Sequence, residues 1–417
     1  MPEPYDYIII GSGIAGLYSA VELAKAKPQA RIAVFEREKE LGGRVYTFRQ
    51  KVKGVKLQWE AGAGRISENH TIIHALLRRY KLSVIPIGHK ILYKETYTAP
   101  LEPDAFEPGI PIFMDTLNIL PKDILANNTI RQLLTEIHGP ALTEKYLARF
   151  PYRAEVDVMR ADMSLKLFSH EFRRTEEYGI CAEGLSSLID AMYKDAKGRG
   201  VKFFLKHELL SVTQQGLVRA SFKEKTVEAH NCVLAVPVEA LKRIEGFKTW
   251  EPCKYVRMEP LLRFYGTFPK GPDGKIWYEK YGGRIITATP IRYMIPGNPE
   301  NGSAHMSYTD TQDARYWMKK IKSKGEEEIG KEMLEELRHL LGPDIPEPTF
   351  VKAHSWRNGV TYWLPGSYDP AEISRNAFTP MPDSMPNVHI CGESFSMRQG
   401  WMEGAVENAA SLLKILL

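Results

Sequence analysis

Residues 5–10 (YDYIII) form an apolar run that passes directly into glycines, Gly11-Ser-Gly13-Ile-Ala-Gly16. Apolar positions then fall at Ile14, Leu17, Val21 and Ala24, with Pro28 just beyond. That three-to-four spacing predicts one buried helix face and a stop. Residues 31–35 (RIAVF) read as a second strand ending at Glu36. Further along, 123–139 (DILANNTIRQLLTEIHG) and 140–150 (PALTEKYLARF) have helical periods broken by Gly139-Pro140 and Pro151. A helix is predicted to begin at 178 and run to about 197. Strands follow at 201–205 and 209–212, and a buried one over 233–237 ends in proline. Residues 256–380 alternate short strands with turns at Gly271-Pro-Asp-Gly and Pro296-Gly-Asn-Pro, with one helix over about 326–341. A last strand, 388–391, leads into Gly392-Glu393, and Gly400-Trp401-Met402-Glu403-Gly404-Ala405 opens a final helix.

The N-terminal pattern carries chemistry because each part has a physical task. Gly11 permits a tight turn, Gly13 lets backbone approach a pyrophosphate, and Gly16 packs helix against strand. The helix N-terminus, at Ile14 and Ala15, offers N–H donors and positive potential to phosphates. Glu36 stands twenty residues after Gly16, where a carboxylate accepts ribose hydroxyls. This strand, glycine turn, helix, strand and acid predict binding of an ADP moiety. The acid argues against a 2′-phosphorylated nicotinamide cofactor, but leaves NAD and FAD open.

The residues after Glu36 run Arg37-Glu-Lys-Glu-Leu-Gly42-Gly43-Arg44. With Gly392-Glu393 and the GWMEGA stretch at 400–405, this resembles the flavin-containing amine oxidase superfamily. Monoamine, polyamine and L-amino acid oxidases belong to it, and L-amino acid oxidases are the nearest in pattern. The resemblance implies FAD as cofactor. It places the loop of Gly43 and Arg44 against the diphosphate, Glu393 toward the ribityl and phosphate region, and a valine near Val212 against the adenine. It also sets the backbone at Met402, with Trp401 and Ala405, at the pyrimidine end of the flavin ring. A helix N-terminus there stabilises the negative charge of the reduced ring. The fold class implied is α/β. A discontinuous Rossmann-like FAD-binding domain spans 1–50, 178–255 and 385–417. A mixed-sheet substrate-binding domain takes 51–115 and 256–384, and a small helical subdomain 116–177.

The stretch Gly62-Ala63-Gly64-Arg65-Ile66-Ser67 stands where the superfamily lays a loop along the flavin ring. L-Amino acid oxidases place small residues, Met-Arg, an apolar residue and Pro there. Gly64 and Ser67 depart from that pattern at the methionine and the proline. By resemblance Arg65 clamps a substrate carboxylate, a task suited to a planar guanidinium; alternatively it serves the cofactor or pairs with Glu60. Residues 282–296 (GGRIITATPIRYMIP) resemble a segment whose tyrosine adds a second bond to that carboxylate, with Tyr293 the nearest candidate. The usual lysine that binds a water beside flavin N5 has no match on 258–265 (MEPLLRFY), where Arg263 is the nearest cation. Trp401 fits one side of the aromatic pair of monoamine oxidases, and Gly359 falls at the other. Side-chain choice is expected from Trp363, Trp401 and residues within 101–177. Val360 falls near the cysteine that carries flavin covalently in monoamine oxidases, so the FAD is expected to be non-covalent. The implied reaction is oxidative deamination of an L-amino acid, with molecular oxygen as second substrate. The alternatives are a polyamine or monoamine oxidase, and a flavin-inactive Rab GDP-dissociation-inhibitor fold, which does not need the GWMEGA stretch.

Composition narrows this further. The net charge of +5, from 56 basic and 51 acidic residues, is small and spread, so no nucleic-acid partner is expected. No apolar run of membrane-spanning length and no signal-like N-terminus occur, so no membrane partner and a cytoplasmic location are expected. Homo-oligomerisation stays open. Cys181, Cys232, Cys253 and Cys391 lie far apart without metal-ligand spacing, which predicts buried free thiols and no metal.

Overall fold

The computed structural model describes residues 3–88, 90–103, 113–171 and 178–417. Its first sheet has seven strands. Tyr5–Ile10 lies at its centre, parallel to Ile32–Phe35 on one side and to Thr226–Leu234 on the other. Lys202–Phe204 extends the parallel part beyond Ile32–Phe35, and Val388–Ile390 pairs in parallel with Thr226–Leu234. An antiparallel meander of Leu209–Gln215 and Leu217–Phe222 completes it. The central strands are continuous apolar runs because helices or loops cover both faces. On one face helix Ile14–Ala26 packs between Ser186–Gly198 and the final helix Met402–Leu416, burying Leu17, Ala20, Val21, Leu188, Val406 and Ala409. This is an α/β, Rossmann-like arrangement.

A second, mixed sheet orders Phe350–Trp363, Val256–Thr267, Ser303–Asp310, Tyr293–Pro296, Arg284–Thr287, Ile91–Lys94 and Glu102–Pro103. Two helices, Thr311–Lys324 and Glu326–Leu341, pack on it through Trp317, Met333 and Leu337. The helices of 113–171 form a cluster around Leu117, Ile130, Leu134 and Phe150. A hairpin, Thr47–Val52 with Val55–Glu60, and a three-stranded sheet of Ile66–Ser67, Tyr178–Cys181 and Val84–Ile87 join the larger parts.

Three local expectations change. The helix expected from 178 starts only at Ser186, and Tyr178–Cys181 is a strand. It pairs on both edges, and those ladders outweigh a weak local helical period. The strands at Val256–Thr267 and Phe350–Trp363 are long, 12 and 14 residues, because they pair along most of their length. Thr311–Lys324 is a further helix. Five lysine and arginine residues obscure its apolar stripe of Ala314 and Trp317. All four cysteines are free and buried. Among the described residues no helix is long and apolar enough to cross a membrane, and no cluster could hold a metal ion.

Candidate active site

A cavity of about 570 Å³ runs from the C-terminal ends of the central strands of the first sheet to the second sheet. At one end lie Gly11, Gly13, Ile14, Ala15, Glu36, Arg37, Gly43 and Arg44. At the other lie Gly64, Arg65, Tyr152, Arg263 and Tyr308. The pair Gly392 and Glu393, and Trp401, Met402 and Ala405, also line it.

The glycines there answer to specific contacts. Gly11 has φ +99°, and a Cβ on it would lie 2.5 Å from the Ala235 carbonyl oxygen. A Cβ on Gly13 meets nothing within 4 Å, so the backbone there faces open space. Gly13 also bridges to Gly42, which sets the second glycine loop beside the first. Helices Ile14–Ala26 and Met402–Leu416 both start on this cavity, and neither N-cap has a side-chain hydrogen bond. Two helix starts without side-chain caps, with glycine backbone between them, make an anion-binding cradle of the kind a dinucleotide diphosphate requires. The residues present therefore fit a flavin dinucleotide.

The acids are more committed than the motifs suggest. Glu36 accepts from Ser12 N at 2.8 Å, Ser12 Oγ at 2.7 Å and Glu38 N at 2.9 Å, so its carboxylate is held in place against the glycine turn. Glu393 is 7% exposed and ties the strand Phe350–Trp363 to the loops of Arg44 and Gly400. It accepts from Thr361 N and Oγ1 at 2.9 and 2.7 Å, Gly400 N at 3.0 Å and Arg44 Nη1 at 2.9 Å. Arg44 also donates to the Gly359 carbonyl at 3.0 Å. Both residues reach the cavity, but their mutual ion pair is what shapes its wall.

At the far end Arg65 lies with its guanidinium 5.5 Å from the Tyr152 ring centre and 5.4 Å from those of Tyr178 and Trp401. Tyr178 and Trp401 stack at 6.1 Å, 17° from parallel, and His70 meets Trp401 edge-on at 4.9 Å. Cation–π attraction of this kind orients a guanidinium without neutralising it. Burial, then the charges of Arg398 and neighbouring groups, push the His70 imidazole down to about 3, so it stays neutral beside Arg65. Burial drives the Tyr152 hydroxyl well above its ordinary value, and Arg65 opposes this. Tyr152 is set by a buried charge cluster behind it. Asp310 accepts from Arg153 N and Ala154 N, both at 2.9 Å, and Arg153 Nε donates to Asp313 at 3.0 Å. Arg292 donates to the Phe150 carbonyl. Burial raises Asp310 to about 6 despite those two N–H donors.

Arg263 is 7% exposed. It donates from Nη1 to the Glu60 carbonyl at 3.0 Å and from Nη2 to Tyr308 Oη at 3.3 Å. Its guanidinium lies 4.7 Å from the Tyr308 ring centre.

Four expected site residues lie off the cavity. Tyr293 is 1% exposed and packs edge-on behind Tyr152 at 6.2 Å; its strand turns it into the sheet interior. Val212 is 1% exposed, paired with Ala220 across the meander, and His207, Glu208 and Leu209 line that end instead. Gly16 does the packing task alone, because a Cβ on it would lie 2.0 Å from the Gly11 carbonyl oxygen. Trp363 is fully buried, donating to the Ser396 carbonyl at 3.1 Å. The remaining candidates gather on one cavity. Tyr152, Tyr178 and Tyr308 were not foreseen, since nothing local separates them from core tyrosines. Glu403 was also missed, although it sits within the GWMEGA stretch. It is fully buried and caps the helix Thr71–Arg79, accepting from Ile72 N at 2.8 Å and Ile73 N at 2.9 Å.

These features define a flavin-cradling α/β protein whose cavity ends in cations and aromatic rings. The sequence model of the family "Flavin containing amine oxidoreductase" matches residues 14–411, and the chain belongs to that family. A flavin cofactor and small-molecule substrates oxidised with oxygen come with membership. An L-amino-acid oxidase of Siganus canaliculatus is 24% identical over 96% of this chain and 83% of its own. Among solved structures, putrescine oxidase bound to putrescine superposes with a TM-score of 0.77 at 17% identity, over 99% of both chains. Cyclohexylamine oxidase from Brevibacterium oxydans IH-35A gives 0.77 at 18%, over 99% of this chain and 100% of the other. The structural likenesses establish the shared fold.

Proposed function

We propose that this protein is an FAD-dependent L-amino-acid oxidase that holds its FAD without a covalent bond. In the overall reaction an L-amino acid, oxygen and water become a 2-oxo acid, ammonia and hydrogen peroxide. When bound, the flavin would supply the two-electron acceptor for the Cα hydrogen and its electron pair, with oxygen as the final acceptor. The chain's own residues do the rest. Gly11, Gly13, Ile14, Ala15 and the loop of Gly43 would hold the diphosphate, and Glu36 the ribose nearest it. The backbone at Met402 would meet the ring. No cysteine lines the cavity among the described residues, and Val360 does, which supports non-covalent binding.

The observation that carries the reading is Arg65 on the cavity wall, oriented by three rings within 5.5 Å. A guanidinium there attracts a carboxylate and repels an ammonium group, so it favours an amino acid over a simple amine or diamine. Held at Arg65, a substrate has one orientation of its Cα–H bond, and such orientation lowers the barrier substantially. The similarity to a curated L-amino-acid oxidase over nearly the whole chain points the same way.

A peroxide assay on L-amino acids, primary amines and polyamines tests this. L-Amino acids are expected to be oxidised, and Arg65→Ala should raise KM by roughly 100-fold, the worth of a charged hydrogen-bonded pair, with flavin content kept. Activity on amines alone would refute the reading.

A further inference from the structure

Beyond Glu36 the cavity changes character. Its buried lining there is apolar, Leu209 and Ile244. Its exposed lining is charged, Arg37, Glu208 and Arg243. Apolar side chains below and charged ones at the mouth suit a flat ring system with a polar edge. In a flavin dinucleotide the adenine has that character, and the ribose expected at Glu36 joins it to the diphosphate.

The three charged residues come from separate stretches of chain. Arg37 follows the strand Ile32–Phe35, Glu208 precedes the strand Leu209–Gln215, and Arg243 follows the short helix Val238–Leu241. Backbone pairing brings those stretches together. The N–H groups of Lys206 and His207 donate to the Glu38 and Glu36 carbonyls at 3.1 and 2.8 Å, and Glu245 N donates to the Leu210 carbonyl at 2.8 Å. The side chains then meet on one atom: Glu208 Oε1 lies 3.8 Å from Arg37 Nη1 and 3.9 Å from Arg243 Nη2. Each arginine also has a firmer hold. Arg37 Nε donates to Glu38 at 2.9 Å, and Arg243 Nη1 to the Glu239 carbonyl at 2.8 Å. The Glu208 contacts are too long for hydrogen bonds, so they are ion pairs that gather the guanidiniums without using up their donors or flat faces.

We propose that Arg37, Glu208 and Arg243 form a rim that holds the adenine half of the flavin dinucleotide. The arginines act on the ring, as guanidiniums do on aromatic faces, and Glu208 is the positioning residue that keeps them together. This rests on the reading of the cofactor as FAD without a covalent bond. All three side chains are about half exposed, so each ion pair is weak and screened by salt. The rim therefore adjusts the preference for FAD, while the diphosphate cradle supplies most of the affinity.

The test compares two flavins on the flavin-loaded protein. The flavin released by heat is first identified by chromatography. Loaded protein is then equilibrated with mixtures of FAD and FMN, and the bound amount of each is measured after desalting. FMN keeps the ring and a phosphate and lacks the adenosine half. A fault in folding or in the cradle weakens both flavins, whereas loss of the rim weakens FAD alone. Glu208→Gln and Arg243→Gln should each shift the bound ratio toward FMN, Glu208→Gln by about three- to tenfold, the reach of two exposed ion pairs. The double variant should shift it by less than the product of the two, since they share one contact. Raising salt from about 0.05 M to about 1 M, where the screening length is about 3 Å, should move the unaltered protein the same way and Glu208→Gln little. If a variant retains no flavin, the salt shift in the unaltered protein decides alone, and its absence counts against the rim. A ratio that the variants leave unchanged, or move toward FAD, would overturn the proposal and leave the FAD reading standing. FMN as the released flavin, or a flavin that stays on the denatured chain, would remove both.

Discussion

Removing the carboxylate of Glu403 tests how the active-site wall is held together. Glu403 is fully buried in the first turn of the final helix. Its oxygens take the N–H groups of Ile72 and Ile73 at 2.8 and 2.9 Å and the Thr71 hydroxyl at 3.3 Å. The helix Thr71–Arg79 has no side-chain cap of its own at His70, so this distant carboxylate supplies one. The contact lies between two parts of the site: Trp401 is two residues upstream of Glu403, and Arg65 lies six residues before Thr71. Glu403→Ala strands two backbone donors, one of them at the fully buried Ile73. At about 1.5–2.5 kcal/mol for each charged hydrogen bond lost, the cost is roughly 3–5 kcal/mol. An unfolding entropy of about 2.1 cal/mol/K per residue comes to roughly 0.9 kcal/mol/K for this chain length, so Tm should fall by about 3–6 °C. Glu403→Gln should lose about half as much, since its amide oxygen still accepts one N–H while its NH2 opposes the other. Scanning calorimetry of the flavin-loaded forms measures this. A fall below about 1 °C for the alanine variant would refute the capping argument.

Two further outcomes follow from other contacts. Burial raises the Glu60 carboxyl from 4.5 to about 7 against the pull of the Leu185 N–H and Thr47. The folded state therefore holds that proton longer than the unfolded chain. The protonated form's advantage is complete below pH 4.5 and is lost as pH rises through about 7. The shift corresponds to roughly 3 kcal/mol, so Glu60→Gln should flatten the decline in Tm between pH 5 and 8.5 by about 3 °C; an unchanged slope would count against it. Gly16→Ala should yield protein with little bound flavin and a Tm lowered by at least about 1–3 °C, because its Cβ would be forced onto the Gly11 carbonyl. Full flavin content, by absorbance, would contradict that.

Much of the glycine-rich end of the cavity was legible in the chain because its signals are local. Gly11, Gly13 and Glu36 lie within one strand–turn–helix–strand unit, and the turn conformation itself demands glycine. The second motif, from Gly392 to Ala405, is equally compact. What was illegible depends on contacts between segments far apart in sequence. Tyr178 opens a strand rather than a helix because Ile66–Ser67 and Val84–Ile87 offer it ladders on both edges. Tyr152 reaches Arg65 because Asp310, more than 150 residues away, grips the backbone at Arg153 and Ala154. Tyr293 has the right residue type on the right segment, and strand pairing turns it into the interior.

By itself, then, the sequence determined glycine-rich turns near its two ends that meet on one cavity, an arginine in a loop of small residues between them, and the amine-oxidase pattern joining these parts. Short-range backbone geometry and side-chain chemistry suffice for that. Which side chains face Arg65, and which acids are already spent on backbone N–H groups, were decided by the tertiary structure. Those choices depend on space and desolvation, and both are properties of packed neighbours rather than of any local stretch of chain.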